Sequence, residues 1–264
     1  MVFNLCTRRK LYFNGSVLLQ MIKKTKIEVK NLNKAIGVKQ ILSNISFELR
    51  AEEHLVIIGS SGAGKSMLIK CLLGLEDLSS GSIFFENNLV SGNEDKQRLL
   101  NKLGVCFQSN ALFDSYKAWE NIAFKTLYNE RSPNISKLKK LAIERLEEVG
   151  LPRNIAELYP SELSGGMQKR VGIARAIFSE PDVLIFDEPT TGLDPIMSKK
   201  IISLIGKIIE NSKKTAITIT HDVNLAMLLA SKIILLDSGK IEWTGSPNKA
   251  LSSKNKLLKV FLNG

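Results

Sequence analysis

Two hydrophobic periods occur along the chain, one typical of strands and one typical of helices. Apolar and polar residues alternate from about Ile27, most clearly at Ile45, Phe47 and Leu49, which predicts strands. A short apolar run, His54–Ile58, leads into a glycine-rich turn and then a helical stretch at residues 65–73. The first third of the chain therefore predicts a strand, a turn and a helix in succession.

The same two periods predict the remaining elements. Further strands are predicted at residues 82–85, 104–107, 183–186, 216–220, 233–237 and 241–244, and helices at residues 119–128, 136–149, 195–211 and 223–230. Residues 237–240 predict a hairpin turn between the last two strands. Strands that alternate with helices predict an α/β fold with a parallel sheet covered on both faces.

The two ends of the chain differ from its middle. Residues 1–24 contain Arg8, Arg9 and Lys10 before a mixed stretch, which lacks the unbroken apolar region and the cleavage site of a signal peptide. We interpret residues 1–24 as an N-terminal extension, either a basic arm or sequence that precedes a true start at Met21. Residues 25–251 are predicted to form the main domain, and residues 252–264 a C-terminal tail.

Composition narrows the classes of function. Of the 264 residues, 44% are hydrophobic and 24% are charged, which indicates a globular protein. No stretch approaches the roughly 18 apolar residues of a membrane-spanning helix, so a role at a membrane would need partners. The net charge of +11 comes from scattered lysines rather than a basic run. We interpret it as plain composition, with attraction to anionic lipid as the alternative, and expect no nucleic-acid partner.

Cysteine and histidine usage argues against a metal centre built from these residues. Cys6, Cys71 and Cys106 are far apart and odd in number, which predicts free thiols in a reducing cytosol. The only histidines are His54 and His221, so a multi-histidine metal site is excluded. We interpret His54, at a predicted strand start, as structural.

One segment carries the chemistry of phosphate binding. It consists of Gly59, Ser60, Ser61, Gly62, Ala63, Gly64, Lys65 and Ser66, which match G-x-x-x-x-G-K-[ST] between a predicted strand and a predicted helix. The glycines let backbone N–H groups surround phosphate oxygens, and the helix N-terminus adds partial positive charge. We expect Lys65 to neutralise the β- and γ-phosphates and Ser66 to bind Mg²⁺.

Two adjacent carboxylates follow the apolar strand predicted at residues 183–186. Asp187 is expected to hold Mg²⁺ through its water shell. Glu188 is expected to polarise the attacking water as a general base, a role worth about 10²–10⁴ in rate. Two acids at a strand end are a weak signal alone, but together with the phosphate loop they predict nucleotide hydrolysis.

Between these two motifs, Leu163, Ser164, Gly165 and Gly166 precede Met167 and Gln168 at the start of an amphipathic helix. Here the chain resembles the ATP-binding cassette (ABC) family, whose signature is L-S-G-G-x-Q, and the resemblance covers about residues 27–251. It implies a P-loop NTPase fold with ATP and Mg²⁺ as cofactors. The implied fold has a RecA-like core on a mixed sheet, an antiparallel β subdomain and a helical signature subdomain at about residues 110–170.

The resemblance also implies roles for three further residues. Gln108 resembles the Q-loop glutamine, which senses Mg²⁺ and the transmembrane partner. Asp194 resembles the D-loop residue that acts across the dimer, and His221 resembles the switch histidine that contacts the γ-phosphate.

A head-to-tail dimer is implied as well, with two ATP molecules between two cassettes. Ser164, Gly165 and Gly166 would complete the γ-phosphate site of the other chain, and one copy of each motif per chain implies a homodimer. Ile36 departs from the family pattern, because members usually have an aromatic residue there that stacks on adenine. We therefore expect weaker adenine binding and poorer discrimination against GTP.

Several segments resemble the phospholipid-transport cassettes of the Mla/Mce (MKL) type, namely residues 112–115, 118–124, 164–170, 190–195 and 260–264. This implies a peripheral subunit at the cytoplasmic face of the inner membrane, with a permease and an Mce-type lipid-binding protein. Phe113, Tyr116 and Trp119 are candidates for the groove that receives a permease helix, with core packing as the alternative. Polar amino-acid import and a soluble scaffold ATPase, such as one for iron–sulfur assembly, remain open.

Overall fold

The structure is a computed structural model that describes residues 23–109 and 111–263. The predicted N-terminal extension lies outside the described residues except for Lys23 and Lys24, and so do Cys6 and Met21. The strands are β1 (Thr25–Ile36), β2 (Lys39–Arg50), β3 (His54–Ile58), β4 (Ser80–Phe85), β5 (Asn88–Leu89), β6 (Leu103–Cys106), β7 (Val183–Asp187), β8 (Thr215–Thr220), β9 (Lys232–Asp237) and β10 (Lys240–Gly245). The helices are α1 (Lys65–Leu72), α2 (Gly92–Lys102), α3 (Ala118–Asn129), α4 (Ile135–Glu148), α5 (Gly165–Ile177), α6 (Pro195–Ser212), α7 (Val223–Leu229), α8 (Pro247–Leu251) and α9 (Lys256–Asn263).

A six-stranded sheet forms the centre of the molecule, in the order β10-β9-β3-β8-β7-β6. Its strands are parallel except for β10, which pairs antiparallel with β9, so the sheet is mixed. Leu55 and Ile57 of β3 face one apolar cluster, and Val56 and Ile58 face another that includes residues of α6 and α7. Both faces of the sheet are therefore covered, which explains why β3 is a continuous apolar run.

A second, four-stranded antiparallel sheet has the order β2-β1-β4-β5. Ile45, Phe47 and Leu49 of β2 are buried, as the alternation predicted. They belong to the same apolar cluster as Leu55 and Ile57, so this sheet packs on the face of the central sheet that α1 also covers.

The helical part of the molecule packs against the edge strand β6. Helices α3, α4 and α5 contact one another, and α5 also packs on β6. The approach is so close that a Cβ at Gly104 of β6 would lie 2.0 Å from the carbonyl oxygen of Ala176 on α5. Only glycine leaves room for this contact, which determines the position of α5 beside the sheet.

Three helices were not predicted, namely α2, the five-residue α8 and α9. In α2 only Leu99 is buried, so its sequence has no apolar stripe for a helical period to reveal. In α9, within residues predicted as a tail, Leu258 is fully buried against the core that contains α7 and β9. Within the described ranges, no helix is long and apolar enough to cross a membrane.

Candidate functional site

The phosphate loop joins the buried strand β3 to α1 and has the backbone shape that an anion requires. Gly62 and Gly64 have positive φ angles of 81° and 104°, in the region that favours glycine. A Cβ at Gly59 would lie 2.2 Å from the carbonyl oxygen of Leu236, because β9 passes directly beside the loop. No described side chain caps the N-terminus of α1, so its first N–H groups are available for phosphate.

Lys65 extends back over the loop. Its Nζ donates hydrogen bonds to the carbonyl oxygens of Gly59 (2.7 Å) and Ser60 (3.0 Å) and lies 3.8 Å from Oε1 of Glu188. Burial lowers the pKa of Lys65, while the neighbouring carboxylates raise it. The side chain thus lies between the loop and the acids at the end of β7, where it can neutralise phosphate charge.

Glu188 has a strained backbone and a well-held carboxylate. Its φ is +48°, an unusual value for a non-glycine residue and one that tends to occur at functional sites. Its N–H donates to the carbonyl oxygen of Ile219 on β8 (2.8 Å). Oε2 lies 2.8 Å from Nδ1 of His221 and accepts a hydrogen bond from the Thr191 hydroxyl (3.2 Å). Glu188 and His221 are therefore neighbours in space although 33 residues separate them.

Asp187 has an unsatisfied oxygen that suits a cation. Its Oδ1 is buried and has no hydrogen-bond partner among the described residues. Burial first, and then the charge of Glu188, raise the pKa of the Asp187 carboxyl. A bound Mg²⁺ would satisfy this oxygen and reverse that effect, since a cation favours the ionised carboxylate.

The donor set fits Mg²⁺ bound together with a nucleotide. Within residues 23–109 and 111–263, no group of three or more His, Cys, Asp or Glu residues could hold a metal alone. Mg²⁺ usually takes one or two carboxylates, water and substrate phosphates rather than a complete protein cage. Ser66 and Gln108 line one cavity, and Asp187 directly precedes Glu188, which lines it as well, so the three residues provide such a partial set.

One cavity of about 590 Å³ brings half of the predicted site residues together. Its lining comprises Ile41, Ser61, Gly62, Gly64, Lys65, Ser66, Met67, Gln108, Glu188 and His221. The sheet order explains this, because β3, β8, β7 and β6 are consecutive neighbours and their carboxyl ends share one edge. The phosphate loop, Gln108, Asp187 and His221 each follow or end one of these strands. The cavity is therefore the candidate nucleotide site.

The signature and D-loop residues lie apart from this cavity. Ser164, Gly165 and Gly166 begin α5, where the Ser164 hydroxyl accepts a hydrogen bond from the N–H of Met167. Asp194 caps α6, because its Oδ1 accepts from the N–H groups of Ile196 and Met197. None of these four predicted residues is in the cavity lining of the described chain, so their nucleotide contacts stay predictions.

Sequence reasoning missed Ile41 and Met67, which both line the cavity. Ile41 interrupts the alternation of β2, since it precedes the buried core residue Leu42. That pair of consecutive apolar residues was the available signal for Ile41.

Ile36 is 54% exposed at the end of β1 and is not in the lining of the cavity. The effect of Ile36 on base selectivity therefore stays a prediction.

A larger groove of about 1040 Å³ runs between α6 and α7 and shares only His221 with the nucleotide cavity. Its lining includes Lys199, Lys207 and Glu210 but no residue of the phosphate loop. Because the phosphate-binding groups lie elsewhere, the smaller cavity remains the candidate site.

Comparisons with known proteins agree with this geometry. The family model described as "ABC transporter" matches residues 42–191, more than half of the chain. The glutamine transport ATP-binding protein GlnQ of Escherichia coli is 39% identical over 89% of this chain and 98% of its own length. The intermembrane phospholipid transport system ATP-binding protein MlaF of Haemophilus influenzae is 35% identical over 90% of each chain.

A solved structure supports the same conclusion. The ATP-binding cassette MJ0796, in a dimeric post-hydrolysis state bound to ADP and Pi, superposes with a TM-score of 0.76 at 29% identity. The match covers 84% of this chain and 98% of that one. The predicted P-loop cassette fold is thereby confirmed. The chain belongs to the ABC transporter family, as an ATP-hydrolysing subunit that binds ATP with Mg²⁺.

Proposed function

We propose that Glu188 is the general base of ATP hydrolysis and that His221 contacts the γ-phosphate. In this proposal Lys65 neutralises the phosphates, and Ser66, Gln108 and Asp187 hold Mg²⁺. The supporting observation is the Glu188 carboxylate, which lies 2.8 Å from His221 and 3.8 Å from Lys65 at the wall of the nucleotide cavity. Mg²⁺ would supply charge neutralisation at the β- and γ-phosphates. Glu188 would orient the attacking water and accept its proton.

Glu188→Gln tests the assignment of the base. The amide keeps the size of the side chain but cannot accept the proton, so kcat should fall by about 10²–10⁴ while ATP still binds. Glu180→Gln is the matched control. Glu180 also has a positive φ, of 50°, but its exposed carboxylate pairs with Arg145 and lies outside the cavity lining. Near-normal turnover of the Glu188→Gln variant in a steady-state phosphate-release assay would exclude Glu188 as the base.

We propose further that two copies of the chain enclose two ATP molecules, with Ser164, Gly165 and Gly166 of one copy facing the phosphates bound by the other. The separation of these residues from the cavity of their own chain supports this, and so does the dimeric state of the MJ0796 cassette. The Glu188→Gln variant should therefore dimerise when ATP is added, as measured by analytical ultracentrifugation. Adding Ser164→Arg, which fills the anion site with a bulky cation, should keep it monomeric. Dimerisation that survives Ser164→Arg would contradict this arrangement.

The partner in the membrane is proposed to be a permease that docks beside α3. Phe113, Tyr116, Phe124 and Tyr128 form a continuous ring cluster, in which Phe113 and Phe124 stack with centroids 4.2 Å apart. Phe113 is 40% exposed and Tyr128 59% exposed, so the cluster presents an apolar surface. Trp119 does not contribute to it, because this residue is only 8% exposed and packs in the helical core.

Substitution within this cluster separates docking from catalysis. Phe113→Ser with Tyr128→Ser should prevent co-purification with the permease, while ATP binding by the isolated chain is retained. Leu89→Ser is the control, since Leu89 is 47% exposed on β5 of the other sheet. Undiminished co-purification of the double variant would exclude this surface as the docking site.

The cargo is proposed to be phospholipid, moved between bacterial membranes with an Mce-type protein, from the cytoplasmic face of the inner membrane. The similarity to MlaF over 90% of each chain supports it, together with the sequence segments that resemble that type. Polar amino-acid import is the second candidate, supported by the 39% identity to GlnQ. Purification of the complex in detergent decides between them. Phospholipid and an Mce-domain protein in the complex would support the first, and an amino-acid-binding partner without either would support the second.

A further inference from the structure

Lys169 is a lysine buried in the helical part of the molecule, close to the nucleotide cavity. It lies in the second turn of α5, the helix that begins with the signature residues, and its residue exposure is only 2%. Its Nζ donates a hydrogen bond of 2.8 Å to the backbone carbonyl oxygen of Gln108. The side chain therefore connects the signature helix to the backbone of the proposed Mg²⁺ ligand, 61 residues earlier in the chain.

The environment of Lys169 indicates a role for its charge. Burial lowers the pKa of Lys169, while the Cys106 thiol, Asp187 and Glu188 each act to raise it. A buried ammonium is strongly unfavourable unless hydrogen bonds and opposite charges compensate it. Here the compensation comes from the carbonyl oxygen of Gln108 and from the two acids at the end of β7, which are the groups that surround the proposed metal position.

A second hydrogen bond connects the residues after β6 to α5. Arg175 of α5 donates from Nη1 to the carbonyl oxygen of Ala111 at 2.6 Å. Asn121 of α3 holds the next part of the loop, since it exchanges hydrogen bonds with the N–H (2.8 Å) and the carbonyl oxygen (3.1 Å) of Phe113. Gln108, Ala111 and Phe113, which all come after β6, are thus each held by a side chain of α5 or α3, and Lys169 holds the one that lines the nucleotide cavity.

We propose that Lys169 is a positioning residue that holds Gln108 in the geometry that binds Mg²⁺ and ties it to the signature helix. When α5 engages ATP bound by the partner copy, it would then also move Gln108, the Mg²⁺ ligand of its own chain. The two nucleotide sites would be coupled in this way. This inference rests on the proposed role of Gln108 as a metal ligand. Lys169 acts through the Gln108 backbone and need not touch the nucleotide.

The experiment measures the Mg²⁺ concentration that gives half-maximal ATPase activity at saturating ATP. Lys169→Met keeps the length of the apolar stem and removes the ammonium, and it should raise this concentration about tenfold, which is about 1.4 kcal/mol. Gln108→Ala should raise it as well. The double variant should be no worse than Gln108→Ala alone, because the two residues act in one unit. Lys169→Arg, which keeps the charge and the donors, should recover most of the loss.

Lys125→Met is the matched control. Lys125 of α3 is also partly buried, its pKa is also lowered by burial, and its Nζ donates to a backbone carbonyl oxygen, that of Leu100, at 3.0 Å. Both methionine variants should lower the thermal unfolding temperature, but only Lys169→Met should change the Mg²⁺ dependence. If Lys169→Met does not accumulate as folded protein, Lys169→Gln, which is neutral and too short to reach the carbonyl, replaces it with the same expected shift.

Three results would overturn the inference, and only one of them also excludes the metal role of Gln108. An unchanged Mg²⁺ dependence in Lys169→Met, with a raised one in Gln108→Ala, excludes the positioning role and leaves the metal role of Gln108 intact. An unchanged dependence in Gln108→Ala removes the metal role itself, and the inference with it. Additive effects in the double variant would likewise show that Lys169 does not act through Gln108.

Discussion

The burial of His54 predicts that the protein becomes less stable as the pH falls below about 6.5. His54 begins β3 and is only 3% exposed, with Nε2 2.7 Å from the Thr218 hydroxyl oxygen. Burial lowers the pKa of His54 from 6.5 to about 4, against the smaller opposing effect of a backbone hydrogen bond with Leu229. In the folded protein the imidazole therefore stays neutral at pH values where an unfolded chain would protonate it.

The sign and size of the effect follow from this difference. The folded pKa is below the unfolded one, so the contribution to stability is complete above pH 6.5 and is lost as the pH falls through about 4. One pKa unit corresponds to about 1.4 kcal/mol, so the full loss is about 3 kcal/mol. That is a large part of the 5–15 kcal/mol by which domains are usually stable.

Urea unfolding of the wild type and of His54→Gln between pH 7.5 and pH 4.5 measures this contribution. The variant should be less stable than the wild type at pH 7.5, because it loses packing. Between pH 7.5 and pH 4.5, however, the unfolding free energy of the variant should fall by about 2–3 kcal/mol less than that of the wild type. Thr218→Val is the control, since it removes the hydroxyl partner and keeps the imidazole, so its pH dependence should stay as steep as that of the wild type. Parallel pH profiles for wild type and His54→Gln would refute the reasoning.

Two further predictions concern the nucleotide site. Ile36→Tyr introduces an aromatic ring that can stack on adenine, and it should tighten ATP binding by about 1–3 kcal/mol. Val38→Tyr, at a fully exposed position two residues away, should leave ATP binding unchanged. Equal dissociation constants for Ile36→Tyr and wild type in a titration would contradict this prediction. Gly59→Ala places a methyl group 2.2 Å from the carbonyl oxygen of Leu236. It should lower the free energy of unfolding by about 1–3 kcal/mol and weaken ATP binding. Gly165→Ala, whose new methyl meets no described atom within 4 Å, should leave the unfolding temperature nearly unchanged, and a similar melting temperature for both alanine variants would count against the close-contact argument.

Some functional features could be predicted because they are local in sequence. The phosphate loop is eight consecutive residues between one strand and one helix, so its shape depends on glycine conformations and a helix start that adjacent residues determine. The same holds for Asp187 and Glu188 after the apolar strand β7. His221 and Gln108 were also predictable, but as single residues at strand ends whose roles came from a resemblance.

Tertiary structure alone decided which of these residues meet. The order of β3, β8, β7 and β6 brings Lys65, Glu188 and His221 into one cavity and leaves Ser164 and Asp194 outside it. That order depends on contacts between residues far apart in the chain, which a local period does not encode.

Burial of individual side chains likewise depended on long-range packing. Trp119 lies in the helical core rather than on the docking surface, and α9 packs Leu258 against the sheet although its sequence predicted only a tail. Lysine side chains are usually exposed, yet Lys169 is buried and hydrogen-bonded to Gln108, because α5 lies close to Gly104 of β6. The sequence by itself determined the chemistry of the nucleotide site, because that chemistry resides in short motifs. Only the tertiary structure decided the partners of each side chain, because burial and distance are properties of the packed chain.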